Sequence, residues 1–178
     1  MVKITDNYLE NKQAFADSKI TVPTYDAAKV AEETVKEPRW IHFGGGNLFR
    51  AFHAAIANKL IEDGEMDSGI IVSDTYDDAV VNDIYKKYNN KIVRVVTKAD
   101  GSQDRDLFAS VAKAVFAGPA TVDASGFEEL KGYFTQASLQ VVSFSITEKG
   151  YHLKNGAGEF FPAVANDIKN GPAKPENN

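Results

Sequence analysis

The chain has 178 residues, of which 43% are hydrophobic, and a net charge of −5 at pH 7. This length can bury one ordinary hydrophobic core, so one main domain is expected. The negative charge argues against nucleic acid or an anionic membrane as the main partner, because both attract clustered Lys and Arg. Cysteine is absent, which excludes disulfides, thiolate nucleophiles and thiolate metal ligands.

The sequence predicts no membrane segment. The first residues lack the apolar run of a signal peptide, and no stretch approaches the roughly 20 apolar residues that a membrane span requires. We therefore predict a soluble, cytoplasmic protein.

Two helices are predicted before the first strand. Asp6 is the candidate N-cap of the first helix, and Thr24 or Asp26 caps the second. Residues 1–38 are therefore predicted to be an N-terminal helical extension packed on the sheet that follows.

Residues 40–50 are the most informative stretch, because a short apolar run passes into glycines and then into an amphipathic helix. Gly44 and Gly46 allow a tight turn and a close backbone approach, and the amides and positive dipole end of the next helix suit a pyrophosphate. Phe49 stands where the usual dinucleotide pattern has its third glycine, so the bare G-x-G-x-x-G match is incomplete.

A strand-helix-strand unit is predicted around this turn. The predicted buried face of the helix has residues at spacings of three and four: Phe49, Phe52, Ile56 and Leu60. The helix is expected to end near Gly64. The apolar run 69–73 then predicts a fully buried parallel strand.

Asp74 lies just past this second strand. An NAD-binding fold places there an acid that accepts hydrogen bonds from the adenosine ribose and repels the extra phosphate of NADP. Asp74 follows Gly46 by 28 residues, which exceeds the usual spacing of about 20. The alternative is that Asp77 caps the next helix and Asp74 is an ordinary loop acid.

The next segments predict a core helix from Asp77 to about Asn90 and then a β-hairpin inserted in the sheet. The arms of the hairpin are residues 92–97 and 107–116, on either side of the polar stretch 99–104.

Ser125 and Glu128 have the spacing of a capping box, and the helix behind them leads into a buried strand at 139–146. Thr147 and Glu148 then lie at the carboxyl end of a strand, the edge where open α/β sheets bind ligands. The alternative is that Glu148 is a solvated loop charge.

No catalytic or metal-binding residue is predicted from the sequence. His42, inside the first strand, fits a core residue with satisfied hydrogen bonds better than a general base. Neither an H-x-x-x-H nor an H-E-x-x-H pattern is present, and with no cysteine a zinc-dependent mechanism has no support. A P-loop pattern is also absent.

Two segments resemble the mannitol dehydrogenase family. Its nucleotide loop reads G-x-G-N-F-H-R-A-H-Q-A, and the matching residues are Gly44, Gly46, Asn47, Arg50, Ala51 and Ala54. The family's Phe, His, His and Gln are replaced by Leu48, Phe49, Phe52 and His53. Residues 143–151, about a hundred positions further on, resemble the family's S-L-T-I-T-E-K/G-G-Y segment.

The resemblance implies an α/β fold with a Rossmann-type, doubly wound, mostly parallel sheet in residues 39–152, including the inserted hairpin. Residues 153–178 are expected to be an irregular tail leading to a C-terminal catalytic domain that the chain does not contain. In the family, that domain supplies a Lys general acid/base with Asn and His partners. The implied cofactor is NAD, and the implied cofactor-binding residues are Gly44, Gly46, Asn47, Leu48, Arg50, Asp74, Thr147 and Glu148.

The implied activity of the parent enzyme is metal-free hydride transfer between NAD and the secondary alcohol of a polyol or sugar acid, and the chain alone is expected to be inactive. The N-terminal extension and the sequence of residues 147–151 favour the uronate branch, which uses D-mannonate and D-fructuronate. A mannitol 2-dehydrogenase is the alternative. An alternative of another class is a stand-alone nucleotide-sensing or interaction module without catalysis.

Overall fold

The computed structural model describes residues 2–118 and 120–171. The helices and strands, in chain order, are α1 (Lys12–Asp17), α2 (Ala27–Lys36), β1 (Trp40–Phe43), α3 (Ala54–Glu62), β2 (Ile70–Asp74), β3 (Ile92–Thr97), β4 (Gln103–Phe108), β5 (Val111–Phe116), α4 (Ala120–Phe134), β6 (Val141–Phe144) and α5 (Pro162–Asn170). Shorter segments are π-helical at Phe49–His53 and Val80–Tyr85 and 3₁₀-helical at Lys86–Tyr88 and Glu148–Tyr151.

Four parallel strands form the central sheet in the order β5-β2-β1-β6. Helical segments connect β1 to β2 and β5 to β6, and the β2 to β5 connection contains a helix and the β3–β4 hairpin. Because β6 pairs with β1 on the side away from β2, the strand order reverses between β1 and β6. This reversal is the switch point at which open α/β sheets bind ligands. The predicted doubly wound, Rossmann-type fold is confirmed.

The two faces of the sheet carry separate apolar clusters. The cluster on the side of α3 is built around Phe49, Ala54, Ala57, Ile70, Val72, Val81 and Tyr85. The cluster on the side of α4 contains Ile41, Ile71, Val115, Leu130 and Tyr133. Burial on both faces explains why β2 reads as a continuous apolar run rather than an alternating one.

The helix after the glycine turn buries a different face from the predicted one. Its buried residues are Phe49, Ala54, Ala57 and Ile61, whereas Phe52 and Ile56 are 55% and 40% exposed. The π-helical segment Phe49–His53 is the cause, because it takes i→i+5 hydrogen bonds and so rotates everything that follows. The two exposed apolar side chains line a cavity of about 600 Å³ between α3, the hairpin and residues 21–23.

A hairpin is present as predicted, but its second arm is not residues 107–116: β4 begins at Gln103, within the stretch that was expected to be the turn, and ends at Phe108. β3 and β4 pair antiparallel as a two-stranded sheet of their own. The apolar run 107–116 is divided at Ala109 and Ser110, after which β5 joins β2 in the central sheet. The Ser110 hydroxyl donates to the Ala54 carbonyl at 2.7 Å, which fixes the break against α3.

The N-terminal helices match the prediction in part. Asp26 caps α2 by accepting from the amides of Ala28 and Lys29. The predicted cap at Asp6 is wrong, because its carboxylate closes a turn three residues earlier and α1 begins only at Lys12. The extension packs on the hairpin and the segment that follows it through a cluster centred on Tyr8, Phe15, Leu107 and Ala109.

Three predictions in the second half of the chain are wrong. α4 begins at Ala120, so Ser125 lies inside the helix and is not its N-cap. The expected irregular tail contains α5, whose first residue is Pro162, a residue with the right φ for a first helical position. The strand β6 was expected to be buried, but Val141, Val142 and Phe144 are exposed at this edge of the sheet. Residues 172–178 lie outside the described part of the chain.

Candidate functional site

Gly44 stands at the point where β1 ends beside β6. Its φ of +100° favours glycine, and a Cβ at this position would collide with the carbonyl oxygen of Ser145. The collision follows from the register, because Phe43 pairs with Phe144. The turn is therefore placed at the switch point by both a positive φ and a close backbone approach, as predicted.

The peptide between Gly45 and Gly46 is oriented by two donors from different elements. The Gly45 carbonyl accepts from Arg50 Nη1 at 2.9 Å and from the hydroxyl of Tyr85 at 2.7 Å. Because C=O and N–H point in opposite directions in a trans peptide, the amide of Gly46 points away from buried Tyr85. A Cβ on Gly46 would meet no atom within 4 Å, and the residue is exposed, so the space beside this part of the turn is open.

The open side of the turn has the donors that an anion requires. The first amides of a helix have no carbonyl one turn earlier, and the dipole makes that end positive. Asn47 and Leu48, which form the start of this helix, are exposed. Arg50 adds a positive charge and donates to the Asn47 side chain as well as to the turn. These groups could hold a pyrophosphate at the carboxyl edge of the sheet.

Asp74 contacts the glycine turn directly. Its Oδ2 accepts from the Gly45 amide at 3.2 Å, and its Oδ1 accepts from the amides of Tyr76 and Asp77 at 3.1 and 3.2 Å. Asp77 Oδ1 in turn accepts from the amide of Val80 at 3.4 Å, so Asp77 does cap the next helical segment. The cap at Asp77 therefore does not remove Asp74 from the site.

Thr147 and Glu148 follow β6 at the same edge of the sheet. Both are exposed. The Thr147 carbonyl accepts from the Gly150 amide at 2.8 Å, and Glu148 begins a short 3₁₀ turn. The structure thus brings Arg50 and Asp74 into contact with the glycine turn and leaves Thr147 and Glu148 beside it on the neighbouring strand end.

Two groups that support the turn were not predicted from the sequence. Tyr85 was assigned only to the core, yet its hydroxyl reaches the Gly45 carbonyl from a fully buried position. Burial raises the pKa of Tyr85, so the phenol remains a donor. Ser145 donates to the Gly44 carbonyl at 3.0 Å. The sequence did contain a signal for Tyr85, because it is a tyrosine in a mainly apolar stripe and a buried phenol usually has a hydrogen-bond partner.

His42 is a buried residue with satisfied hydrogen bonds, as expected from its place in β1. Its Nδ1 and Nε2 lie 2.7 and 2.9 Å from the hydroxyls of Ser143 and Ser145. Burial lowers the pKa of His42 to about 4, with a smaller contribution from His53. A ring held neutral in this way binds and orients its neighbours rather than exchanging protons near neutral pH.

Residues 2–118 and 120–171 contain neither of two further classes of site. No group of three or more His, Cys, Asp or Glu in these ranges is arranged to hold a metal ion. No helix there is both long and apolar enough to cross a bilayer.

Two curated proteins are similar to this chain in sequence. A D-mannonate oxidoreductase of Thermotoga maritima is 37% identical over 175 residues, which are 98% of this chain and 32% of the relative. An uncharacterized oxidoreductase of Escherichia coli K12 is 27% identical over 163 residues, 89% of this chain and 31% of the relative. The chain therefore spans about a third of the length of these relatives. No family model matches the sequence.

Two solved structures share the fold. A D-sorbitol dehydrogenase in substrate-free form has a TM-score of 0.67 at 23% identity, over 88% of this chain and 31% of that protein. The Pseudomonas fluorescens mannitol 2-dehydrogenase, solved as a ternary complex with NAD and D-mannitol, has a TM-score of 0.68 at 20% identity, over 91% of this chain and 32% of that protein. The chain is thus similar in sequence to an oxidoreductase and in fold to two dehydrogenases of sugar alcohols.

Proposed function

We propose that this chain is the NAD-binding part of an oxidoreductase that transfers a hydride between NAD and the secondary alcohol of a polyol or sugar acid. The observation that carries the proposal is the glycine turn at the switch point, where Gly46 is exposed and Arg50 supplies a positive charge. The 37% identity to a D-mannonate oxidoreductase supports D-mannonate and D-fructuronate as the preferred substrates.

The residues present fit the two phosphates and the ribose of NAD. The amides of Gly46, Asn47 and Leu48 would bind the pyrophosphate, and Arg50 would offset part of its charge. Asp74 Oδ1 already accepts from two backbone amides, whereas Oδ2 accepts from one and can take a second hydrogen bond. That acceptor site on Oδ2 suits a ribose hydroxyl.

Thr147 and Glu148, at the end of the neighbouring strand, would lie towards the nicotinamide half of the cofactor and the substrate. Bound NAD would accept the hydride, and this chain would orient it. The proton of the alcohol would pass to a Lys general base that the family resemblance places beyond residue 178. Without that group, the chain alone is expected to bind cofactor and to show no turnover.

Among sugar substrates, mannitol is the second candidate. The mannitol 2-dehydrogenase of known structure is 20% identical and supports the fold alone. The longer protein should be assayed with NAD and either D-mannonate or D-mannitol. Faster turnover of D-mannitol would overturn the preference for the sugar acid and leave the cofactor proposal standing.

Calorimetric titration of the chain with NADH and with NADPH tests the cofactor proposal. We expect NADH to bind more tightly, because the Asp74 carboxylate repels the 2′-phosphate of NADPH. Asp74→Asn removes the charge and keeps an acceptor for the turn, so it should reduce the preference for NADH without unfolding the loop. Asp74→Ala removes both and should weaken both ligands.

Asp78→Asn is the matched control, since it removes an equal charge from an exposed residue four positions along the same loop. Its titrations should match those of the unchanged chain. Failure of the folded, unchanged chain to bind either nucleotide would reject cofactor binding by this chain. Equal loss of selectivity in Asp74→Asn and Asp78→Asn would remove the specific role of Asp74.

A further inference from the structure

A continuous set of hydrogen bonds joins β1, β6 and the glycine turn. Trp40 Nε1 donates to Ser143 Oγ at 2.7 Å, and the same oxygen lies 2.7 Å from His42 Nδ1. On the other side of the imidazole, Nε2 lies 2.9 Å from Ser145 Oγ, which donates to the Gly44 carbonyl at 3.0 Å. The fully buried ring of His42 is the centre of this set.

The two ends of the set fix the direction of its hydrogen bonds. An indole N–H can only donate and a carbonyl oxygen can only accept. Ser143 accepts from Trp40, so its proton is available for His42 Nδ1. Ser145 uses its proton on the Gly44 carbonyl, so its oxygen must accept a proton from Nε2. Of the two neutral tautomers of His42, only the Nε2–H form makes all four bonds.

A charged imidazole is the remaining form, and the surroundings disfavour it. It would deprive the Ser143 proton of its acceptor at Nδ1, and burial opposes the charge. The neighbours of the ring are uncharged groups and one further imidazole. The register partners of His42 are Val72 on β2 and Ser143 on β6. His53 lies on the π-helical segment with its ring centroid 4.5 Å away.

The Gly44 carbonyl and the Gly45 amide belong to one planar peptide unit. Ser145 holds the carbonyl end, and Asp74 Oδ2 accepts from the amide end at 3.2 Å. Without such partners, a peptide between two glycines rotates readily, because neither residue has a Cβ to restrict it. His42, through Ser145, and Asp74 therefore hold the two ends of the same peptide plane.

We propose that His42, as its neutral Nε2–H tautomer, is a positioning residue that fixes the Gly44–Gly45 peptide and so sets Asp74 and the Gly46 amide for the cofactor. The cofactor part of this proposal rests on the NAD-binding function proposed above. Two substitutions of His42 by amide side chains, Gln and Asn, distinguish a role of the Nε2 hydrogen bond from simple filling of the space. Gln at position 42 places its nitrogen near Nε2 and can donate to Ser145. The shorter Asn reaches Ser143 but not Ser145.

Nitrogen NMR of the ¹⁵N-histidine-labelled chain tests the tautomer directly and needs no cofactor. The His42 signals are identified by their loss in His42→Gln. We expect a ring protonated at Nε2 alone from pH 7 down to pH 5. A ring protonated at Nδ1, or one that carries both protons within this range, would overturn the proposal whatever the nucleotide affinity is.

NADH titration of His42→Gln, His42→Asn and Ser145→Ala tests the positioning. His42→Gln should retain most of the affinity, whereas His42→Asn and Ser145→Ala should each weaken NADH binding by about tenfold, the equivalent of one lost hydrogen bond. Thermal unfolding of each variant accompanies the titrations. If the unchanged chain binds NADH and the Gln and Asn variants bind it equally tightly, the positioning role is rejected. The proposal that the chain binds NAD is then unaffected.

If the unchanged chain does not bind NADH, the Gly45 amide signal decides the positioning of the peptide. A shift of this signal in His42→Asn and Ser145→Ala, with little shift in His42→Gln, supports the hydrogen-bonded arrangement. The same signal in all variants overturns it. Loss of NAD binding and loss of the positioning role therefore give different results.

Discussion

The three glycines of the turn serve three different purposes. Gly44 combines a positive φ with a close approach to Ser145, and a Cβ on Gly45 would press on Tyr85 at 3.0 Å. Gly46 has neither restriction and is exposed. Identical residues in the sequence thus provide the turn, its contact with Tyr85 and an exposed surface.

We expect Gly44→Ala to destabilise the chain by about 2 to 5 kcal/mol, the sum of positive-φ strain and overpacking against β6. Gly101→Ala is the matched control. Gly101 also has a positive φ, of +82°, but its Cβ would meet no atom within 4 Å. Only the strain of about 1 to 2 kcal/mol should remain there. Urea unfolding of both variants measures the difference, and equal losses would contradict the close approach at Gly44.

The buried imidazole of His42 should make the chain less stable in mild acid. The folded state takes up this proton only near pH 4, whereas an unfolded histidine does so near pH 6.5. Between these values the unfolded state binds more protons, so stability falls as the pH falls. The contribution at pH 5 is about 2 kcal/mol relative to pH 7.

Unfolding free energies at pH 7 and pH 5 check this prediction. Between pH 7 and pH 5, the unfolding free energy of His42→Gln should fall by about 2 kcal/mol less than that of the unchanged chain. His152→Gln, at an exposed histidine, is the control and should show the pH dependence of the unchanged chain. An identical pH dependence in His42→Gln would show that His42 is not held neutral in the folded state.

At the scale of elements, the π-helical segment decides which side of the helix faces the sheet. Three-four spacing predicted Phe49 and Phe52 on one buried face. The segment buries Phe49 completely and turns Phe52 outward. Two small residues, Ala54 and Ala57, then belong to the buried cluster on this side of the sheet.

Alanine substitutions at these two phenylalanines should have unequal effects. Phe49→Ala should cost about 3 to 5 kcal/mol, the usual range for an emptied aromatic core site. Phe52→Ala should cost less than about 1 kcal/mol, because half of this side chain is already in water. Phe49→Leu serves if the alanine variant does not fold. Denaturant unfolding measures the loss of stability in each variant. A larger loss in Phe52→Ala than in Phe49→Ala would contradict the π-helical segment and support the regular helix that the spacing predicted.

At the scale of the whole molecule, the sheet is covered unevenly. β5, β2 and β1 carry buried residues on both faces, whereas Val141 and Phe144 of β6 are 45% and 53% exposed. In the described part of the chain, β1 is the strand that pairs with β6. A parallel strand with an apolar, exposed edge offers both hydrogen-bonding groups and apolar surface to another strand.

We expect the 178-residue chain to self-associate through this edge, with an average mass that rises with concentration in sedimentation experiments. Val141→Lys should shift the equilibrium towards the monomer, because a lysine at an edge opposes strand pairing. Val95→Lys on β3 is the control, since that valine is 50% exposed on the hairpin. Equal effects of the two lysines would show that net charge, rather than the β6 edge, controls association.

The sequence was most informative where a local physical requirement has few solutions. The glycine turn after β1, the cap at Asp26, the parallel strand β2 and the hairpin were all predictable, because φ values, capping and apolar runs depend on neighbouring residues. The fold class was predicted from the resemblance of two motifs about a hundred residues apart. The contact of Asp74 with the glycine turn agrees with its predicted place after the second strand.

The features that were missed depend on residues far apart in the chain. The support of the turn by Tyr85 and Ser145 joins residues 40 and 101 positions from their partners. The division of the run 107–116 follows from which strands pair. The exposure of β6 could not be read from the sequence, because the exposed residues of this strand are as apolar as core residues. The sequence by itself determined the turn, because the φ limits of glycine are local, and it determined the fold class through the resemblance of two motifs. Only the tertiary structure decided which side chains hold the turn and which apolar faces stay open, because packing between distant elements selects them.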